Sequence, residues 1–130
     1  MNKKKILLVD DEVDFMDFIG IRIESWGYES IKANSGKEAL ELLETEKPDL
    51  IVLDYLMPDM DGVTTFKHIR KINEDIPVIM FTAYPDKKSM KKTEKLGVVS
   101  YIPKLSTYSD TTQSLKSAIN LINEQLEKKK

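Results

Sequence analysis

Three aspartates stand directly after short apolar runs. Asp10 and Asp11 follow Ile6-Leu7-Leu8-Val9, and Asp54 follows Leu50-Ile51-Val52-Leu53. Glu12 extends the first group. Thr82 and Ala83 follow a run that ends at Phe81, and Pro103 and Lys104 follow Val98 to Ile102. Carboxylates brought together repel one another, and fold stability gives no reason to collect them. A hard divalent cation relieves that repulsion, and Mg²⁺ prefers carboxylate oxygens while keeping several waters. A carboxylate beside such an ion can attack a phosphoryl group. Thr82 can donate a hydrogen bond to a phosphoryl oxygen, and Lys104 can supply a point charge. Phosphoryl transfer needs mainly positioning and charge neutralisation, and this set offers both.

The elements that must position these groups alternate in type. Ile6–Val9 reads as a strand buried on both faces. Met16, Ile19, Ile23 and Trp26 recur at helical spacing up to Gly27. Tyr28 to Ala33 reads as a second strand. Ser35 and Glu38 form a capping box ahead of Ala39, Leu40 and Leu43. That helix must stop before Lys47-Pro48, because the residue before proline disfavours helical angles. Leu50–Leu53 is a third strand, and a loop rich in Pro and Asp runs from Asp54 to Gly62. In that loop Asp59 and Asp61 read as turn formers.

Val63, Phe66, Ile69 and Ile72 mark a third helix, and Pro77 to Phe81 a fourth strand. Asp86 to Leu96 reads as a fourth helix closed by Gly97, and Val98 to Ile102 as a fifth strand. Leu115, Ala118, Ile119, Ile122 and Leu126 form the face of a last helix. Five strand–helix units imply right-handed crossovers and an open, doubly wound parallel sheet. Eight units would be needed for a barrel. In open sheets ligands sit beyond the carboxyl ends of the strands, where the acidic groups stand.

Composition narrows the function classes. The 130 residues amount to about one domain, expected to span 1–130 with a core over about 4–127 and a charged tail at 128–130. There is no cysteine, which excludes disulfides, thiolate zinc sites and cysteine nucleophiles. No apolar run reaches membrane-spanning length, and the first residues lack the apolar stretch of a signal peptide, so a reduced cytoplasmic setting is expected. The net charge of −2 conceals two opposed halves: residues 1–65 carry 7 basic and 15 acidic side chains, residues 66–130 carry 13 basic and 7 acidic. Such asymmetry points to an ionic site or a partner face. Lys87, Lys88, Lys91, Lys92 and Lys95 form a basic stripe on the fourth helix, whose apolar anchor is thin. The pI of about 5.5 and the scarcity of aromatics beside these lysines argue against nucleic acid. The single histidine, His68, is expected to face solvent and cannot build a zinc site alone.

Together, Leu8-Val9-Asp10-Asp11-Glu12, the segment Leu53 to Gly62, Phe81-Thr82-Ala83 and the segment Gly97 to Lys104 resemble the receiver domain of two-component response regulators. The resemblance covers residues 4–127 and implies a flavodoxin-like (βα)5 fold with strand order 2-1-3-4-5. It implies that Asp54 accepts a phosphoryl group from a phosphohistidine on a sensor histidine kinase or phosphotransfer protein. Asp10, Asp11, Asp54 and the backbone carbonyl of Leu56 would hold Mg²⁺. Thr82, Ala83 and Lys104 would receive the phosphoryl oxygens. Thr82 and Tyr101 would act as the switch pair, and Leu56 and Tyr84 would tune hydrolysis of the acyl phosphate. The fourth helix, fifth strand and fifth helix would form the output face, toward a downstream target or a second copy. The domain would then be no turnover enzyme. It would catalyse its own phosphorylation and slow dephosphorylation.

The chain departs from that family's pattern at two places. Leu105, where Pro is usual, follows Lys104, and a cis bond there would cost about 2.5–4 kcal/mol. Thr93 stands where a small apolar residue is usual. The first departure motivates an alternative, a pseudo-receiver that keeps the fold as an interaction module without phosphorylation. A Mg²⁺-dependent aspartyl phosphohydrolase is a further alternative. It wants Asp-x-Asp after the first strand and a cap insertion, and this chain has Asp10-Asp11-Glu12 and no cap.

Overall fold

Each apolar run becomes a strand because alternate residues serve two different cores. A computed structural model describes residues 3–55, 57, 60–82, 87–103 and 108–128. The strands are β1 (Lys5–Val9), β2 (Glu29–Ala33), β3 (Leu50–Asp54), β4 (Val78–Thr82) and β5 (Ser100–Pro103). The helices are α1 (Val13–Ser25), α2 (Gly36–Glu46), α3 (Gly62–Ile72), α4 (Lys87–Lys95) and α5 (Tyr108–Lys128). All strand pairs are parallel, in the order β2-β1-β3-β4-β5. The fold class and strand order expected from sequence are both found.

Ile6 and Leu8 of β1, Leu50 and Val52 of β3, and Ile79 and Phe81 of β4 face one core, where Phe15, Ile19 and Ile23 of α1 meet Leu115, Ile119 and Ile122 of α5. Leu7, Val9, Ile51, Leu53, Val78 and Met80 face the other, with Ala39 and Leu43 of α2 and Phe66 and Ile69 of α3. This two-residue alternation explains why the central strands read as continuous apolar runs.

Local signals set the helix ends. The Ser35 side chain accepts from the Glu38 N–H at 3.1 Å, while the Glu38 carboxylate reaches back to the Asn34 N–H at 2.9 Å. The capping box therefore closes one residue earlier than the usual pattern. Lys47 ends α2 in the left-handed region, with φ of 49°. Asp61, expected to form a turn, also caps α3 by accepting from the Thr64 N–H at 2.7 Å. Both α1 and α4 close on a glycine with positive φ, Gly27 at 97° and Gly97 at 84°.

The expected start of the fifth strand shifts by two residues. Val98 is drawn into the end of α4, donating to the Thr93 carbonyl at 3.1 Å, and Val99 donates to Val78 at 3.0 Å just ahead of β5. The last helix begins at Tyr108, and the first large apolar side chain buried among its described residues is Leu115. No helix among the described residues is long and apolar enough to cross a membrane.

Candidate metal and phosphoacceptor site

Register brings the carboxylates together. Val9 pairs with Leu53 on adjoining strands, so Asp10 and Asp54 follow side by side. Asp10 lies two residues past Leu8 and Asp54 two past Val52, so both carboxylates leave the sheet on the α1–α5 face. Both are buried, at 3% and 4% exposure, while Asp11 is exposed. Carboxylate oxygens of Asp10, Asp11 and Asp54 lie within 4.8 Å of one another. Glu12 contributes no oxygen to this group. Its side chain is exposed, and its backbone N–H instead holds Asp10 Oδ1 at 2.9 Å.

The backbone around these residues is fixed by close packing. Asp10 N–H donates to the Ala33 carbonyl at 3.1 Å, and Tyr55 N–H to the Phe81 carbonyl at 2.8 Å. Gly62 N–H donates to the Tyr55 carbonyl at 2.7 Å. A Cβ at Gly62 would run into the Asp54 carbonyl oxygen, so only glycine lets the start of α3 press against the end of β3. The DG pair at Asp61-Gly62 signalled a turn. That Gly62 supports Asp54 itself was not visible, because the contact is made through the backbone.

Several expected site residues are placed only in part. Thr82 pairs with Pro103 at the end of β4, one step beyond the Asp54–Phe81 pair, and its side chain lies outside the described residues. Leu56, Ala83, Tyr84, Lys104 and Leu105 also lie outside them. Tyr101 sits on β5 opposite Met80, packs against the core on the α2–α3 side, and has its hydroxyl oxygen buried. Lys87, Lys88, Lys91, Lys92 and Lys95 are all exposed, and so is His68. Met90, Val99 and Leu121, at 36%, 48% and 56% exposure, add apolar groups on α4, ahead of β5 and on α5.

The donor set is that of a hard cation: carboxylate oxygens only, two of them from buried groups that a bound ion would neutralise. The family model that describes the response regulator receiver domain matches residues 6–120. The chain belongs to this family. Among relatives, the receiver domain is 31% identical to sporulation initiation phosphotransferase F of Bacillus subtilis over 121 residues, covering 93% of this chain and 98% of the relative. It is 41% identical over 104 residues to a probable transcriptional regulator, ycf27, of Cyanophora paradoxa, covering 80% of this chain and 43% of the relative. Several relatives are longer still, and the receiver domain spans about half or less of most of them. Among solved structures, a CheY-like response regulator receiver domain protein from Methanospirillum hungatei superimposes with a TM-score of 0.84 at 27% identity, covering 95% and 99% of the two chains.

Proposed function

We propose that this receiver domain is a phosphorylation-dependent signalling switch in which Asp54 is the phosphoacceptor. The observation that carries the reading is the convergence of Asp10, Asp11 and Asp54, two of them buried at the ends of neighbouring strands. Asp10, Asp11, Asp54 and the Leu56 carbonyl would hold Mg²⁺. When bound there, the ion neutralises the clustered carboxylates and the incoming phosphoryl oxygens. An Asp54 carboxylate oxygen then forms the new O–P bond as the P–N bond of a partner's phosphohistidine breaks. The electron pair leaves on the imidazole nitrogen. Thr82 and Lys104 receive the phosphoryl oxygens, Ala83 leaves the approach open, and Leu56 and Tyr84 tune how long the acyl phosphate survives.

The phosphoryl group would draw Thr82 toward the site, and Tyr101 on the adjoining strand would respond. The face of α4, β5 and α5 would then change its affinity for a downstream protein or a second copy. Exposed Met90 on α4, Val99 ahead of β5 and Leu121 on α5 support that assignment, since each of the three elements offers an apolar group to a partner. The donor is a sensor histidine kinase or phosphotransfer protein in the cytoplasm, and residues 1–130 act as one domain.

Incubation with acetyl phosphate and Mg²⁺, followed by intact mass, tests the reading. Wild type should gain one phosphoryl group, and Asp54→Ala none. Equal gain by both proteins would disprove the assignment. Failure of both acetyl phosphate and beryllofluoride to react would favour the interaction module without phosphorylation.

A further inference from the structure

Among the described residues, the contacts that anchor α4 gather at its last turn. Gly97 and Val98 donate to the carbonyls of Glu94 and Thr93 at 3.0 and 3.1 Å, a complete Schellman closure. Thr93 is fully buried and its hydroxyl donates to the Met90 carbonyl at 2.9 Å. Leu96 and Val98 pack against the core.

Arg70 of α3 completes this anchor. Its Nε donates to the Leu96 carbonyl and its Nη1 to the Ile76 carbonyl, both at 2.7 Å. Longer contacts reach the Asn73 and Gly97 carbonyls at 3.3 and 3.4 Å. The guanidinium lies 4.9 Å from the centre of the buried Phe66 ring, which fixes its plane. One side chain thus ties the end of α3, the turn before β4 and the end of α4. Burial lowers the Arg70 pKa below its ordinary value, with Asp75 opposing, and a guanidinium remains charged at neutral pH.

The first turns of α4 carry four of its five lysines. Lys87, Lys88, Met90, Lys91 and Lys92 are exposed, and the first turn has no acidic residue. Two lysines at the positive end of the helix dipole are unfavourable, as are lysine pairs four residues apart. Neither ion pair among the described residues involves α4.

We propose that Arg70 makes the Leu96–Gly97 corner a fixed pivot, so that switching swings α4 by its lysine-rich first turns. This rests on the phosphorylation reading and adds where the moving element is hinged. Arg70 is a positioning residue: it lies on the other side of the sheet from Asp10 and Asp54 and acts through the backbone that it ties.

The experiment is residue-resolved amide exchange on the full chain, with and without beryllofluoride and Mg²⁺. In wild type the additions should alter exchange at Lys88–Lys92 more than at Gly97 and Val98. Without additions, Arg70→Gln should speed exchange at Gly97 and Val98 by about tenfold or more, as expected for losing hydrogen bonds from a charged donor. With additions, its response should spread to both ends of α4. Rates at Gly97 and Val98 within about twofold of wild type would overturn the pivot, on the same hydrogen-bond argument. So would an equal wild-type response at both ends, even with a clear response at Tyr101. Silence everywhere, Tyr101 included, would remove the switching reading and the pivot with it. Should Arg70→Gln fail to fold, Arg70→Lys keeps the charge and loses the fork, and the same rates decide.

Discussion

Asp10 and Asp54 stand side by side on adjoining parallel strands, both buried and both directed to the same face of the sheet. Two carboxylates so placed repel each other, and a bound cation would relieve that repulsion.

Removing one of the two charges should therefore stabilise the metal-free protein. Asp10→Asn keeps an oxygen for the Glu12 N–H and removes the repulsion. Urea unfolding without divalent ions should show a gain on the order of 1–3 kcal/mol at charge separations of this kind. Mg²⁺ at a hundredfold excess over its Kd should add about 2.7 kcal/mol to wild type and much less to the variant. A variant less stable than wild type under metal-free conditions would contradict this account.

Gly62→Ala should damage the same site through the backbone. The added methyl meets the Asp54 carbonyl and the Tyr55 backbone, neither of which can turn aside. A loss of about 2–3 kcal/mol is expected from overpacking at such a position. Mg²⁺ titration should weaken along with it, because the shift is transmitted to Asp54. Gly27→Ala provides a control, since nothing lies within 4 Å of a Cβ there and only its φ of 97° opposes the change.

How much of this was legible in the sequence depends on the range of each interaction. The strands and most helix faces follow from runs and spacings of a few residues, and so do the Ser35 cap and the Gly97 stop. Asp10, Asp11 and Asp54 were identified because strand ends in an alternating chain must share one edge of the sheet. Arg70 was not, because its acceptors Leu96 and Gly97 lie 26 and 27 residues away and are backbone carbonyls, which no residue type announces. The supporting role of Gly62 was hidden for the same reason. Thr93 was noticed as unusual, and its burial is resolved by a hydrogen bond to its own helix at Met90.

The lysines of α4 supply a third expectation. Lys91 lies four residues from both Lys87 and Lys95. Lys91→Glu turns two repulsive pairs into attractive ones, for a gain of roughly 0.5–1 kcal/mol in low salt. In about 1 M salt, where the Debye length is about 3 Å, the gain should largely vanish. Salt-independent stabilisation would point to some other cause.

Alkaline pH tests the base of the sheet. The Tyr28 hydroxyl donates to Asn120 Oδ1 at 2.8 Å, joining the chain just before β2 to α5. Burial, assisted by Glu124, raises its pKa above the ordinary 10.0. The neutral phenol's contribution is thus whole below pH 10 and is lost as pH rises through the raised folded-state value. Tyr28→Phe should be less stable than wild type by about 1 kcal/mol near neutrality. Thermal melts should show that gap closing above pH 10. A gap that widens there would reverse the sign of the effect.

Because odd and even residues of β1, β3 and β4 serve different cores, the sheet divides the sequence into two nearly separate combinatorial problems. Ile6, Leu8 and Ile79 can be redesigned with α1 and α5 as one set, and Leu7, Ile51 and Met80 with α2 and α3 as another. Substitutions within a set should be strongly epistatic, and substitutions across sets close to additive. An engineer seeking a hardier signalling module can repack the layer under α1 and α5 while leaving untouched the layer against which α4 is anchored.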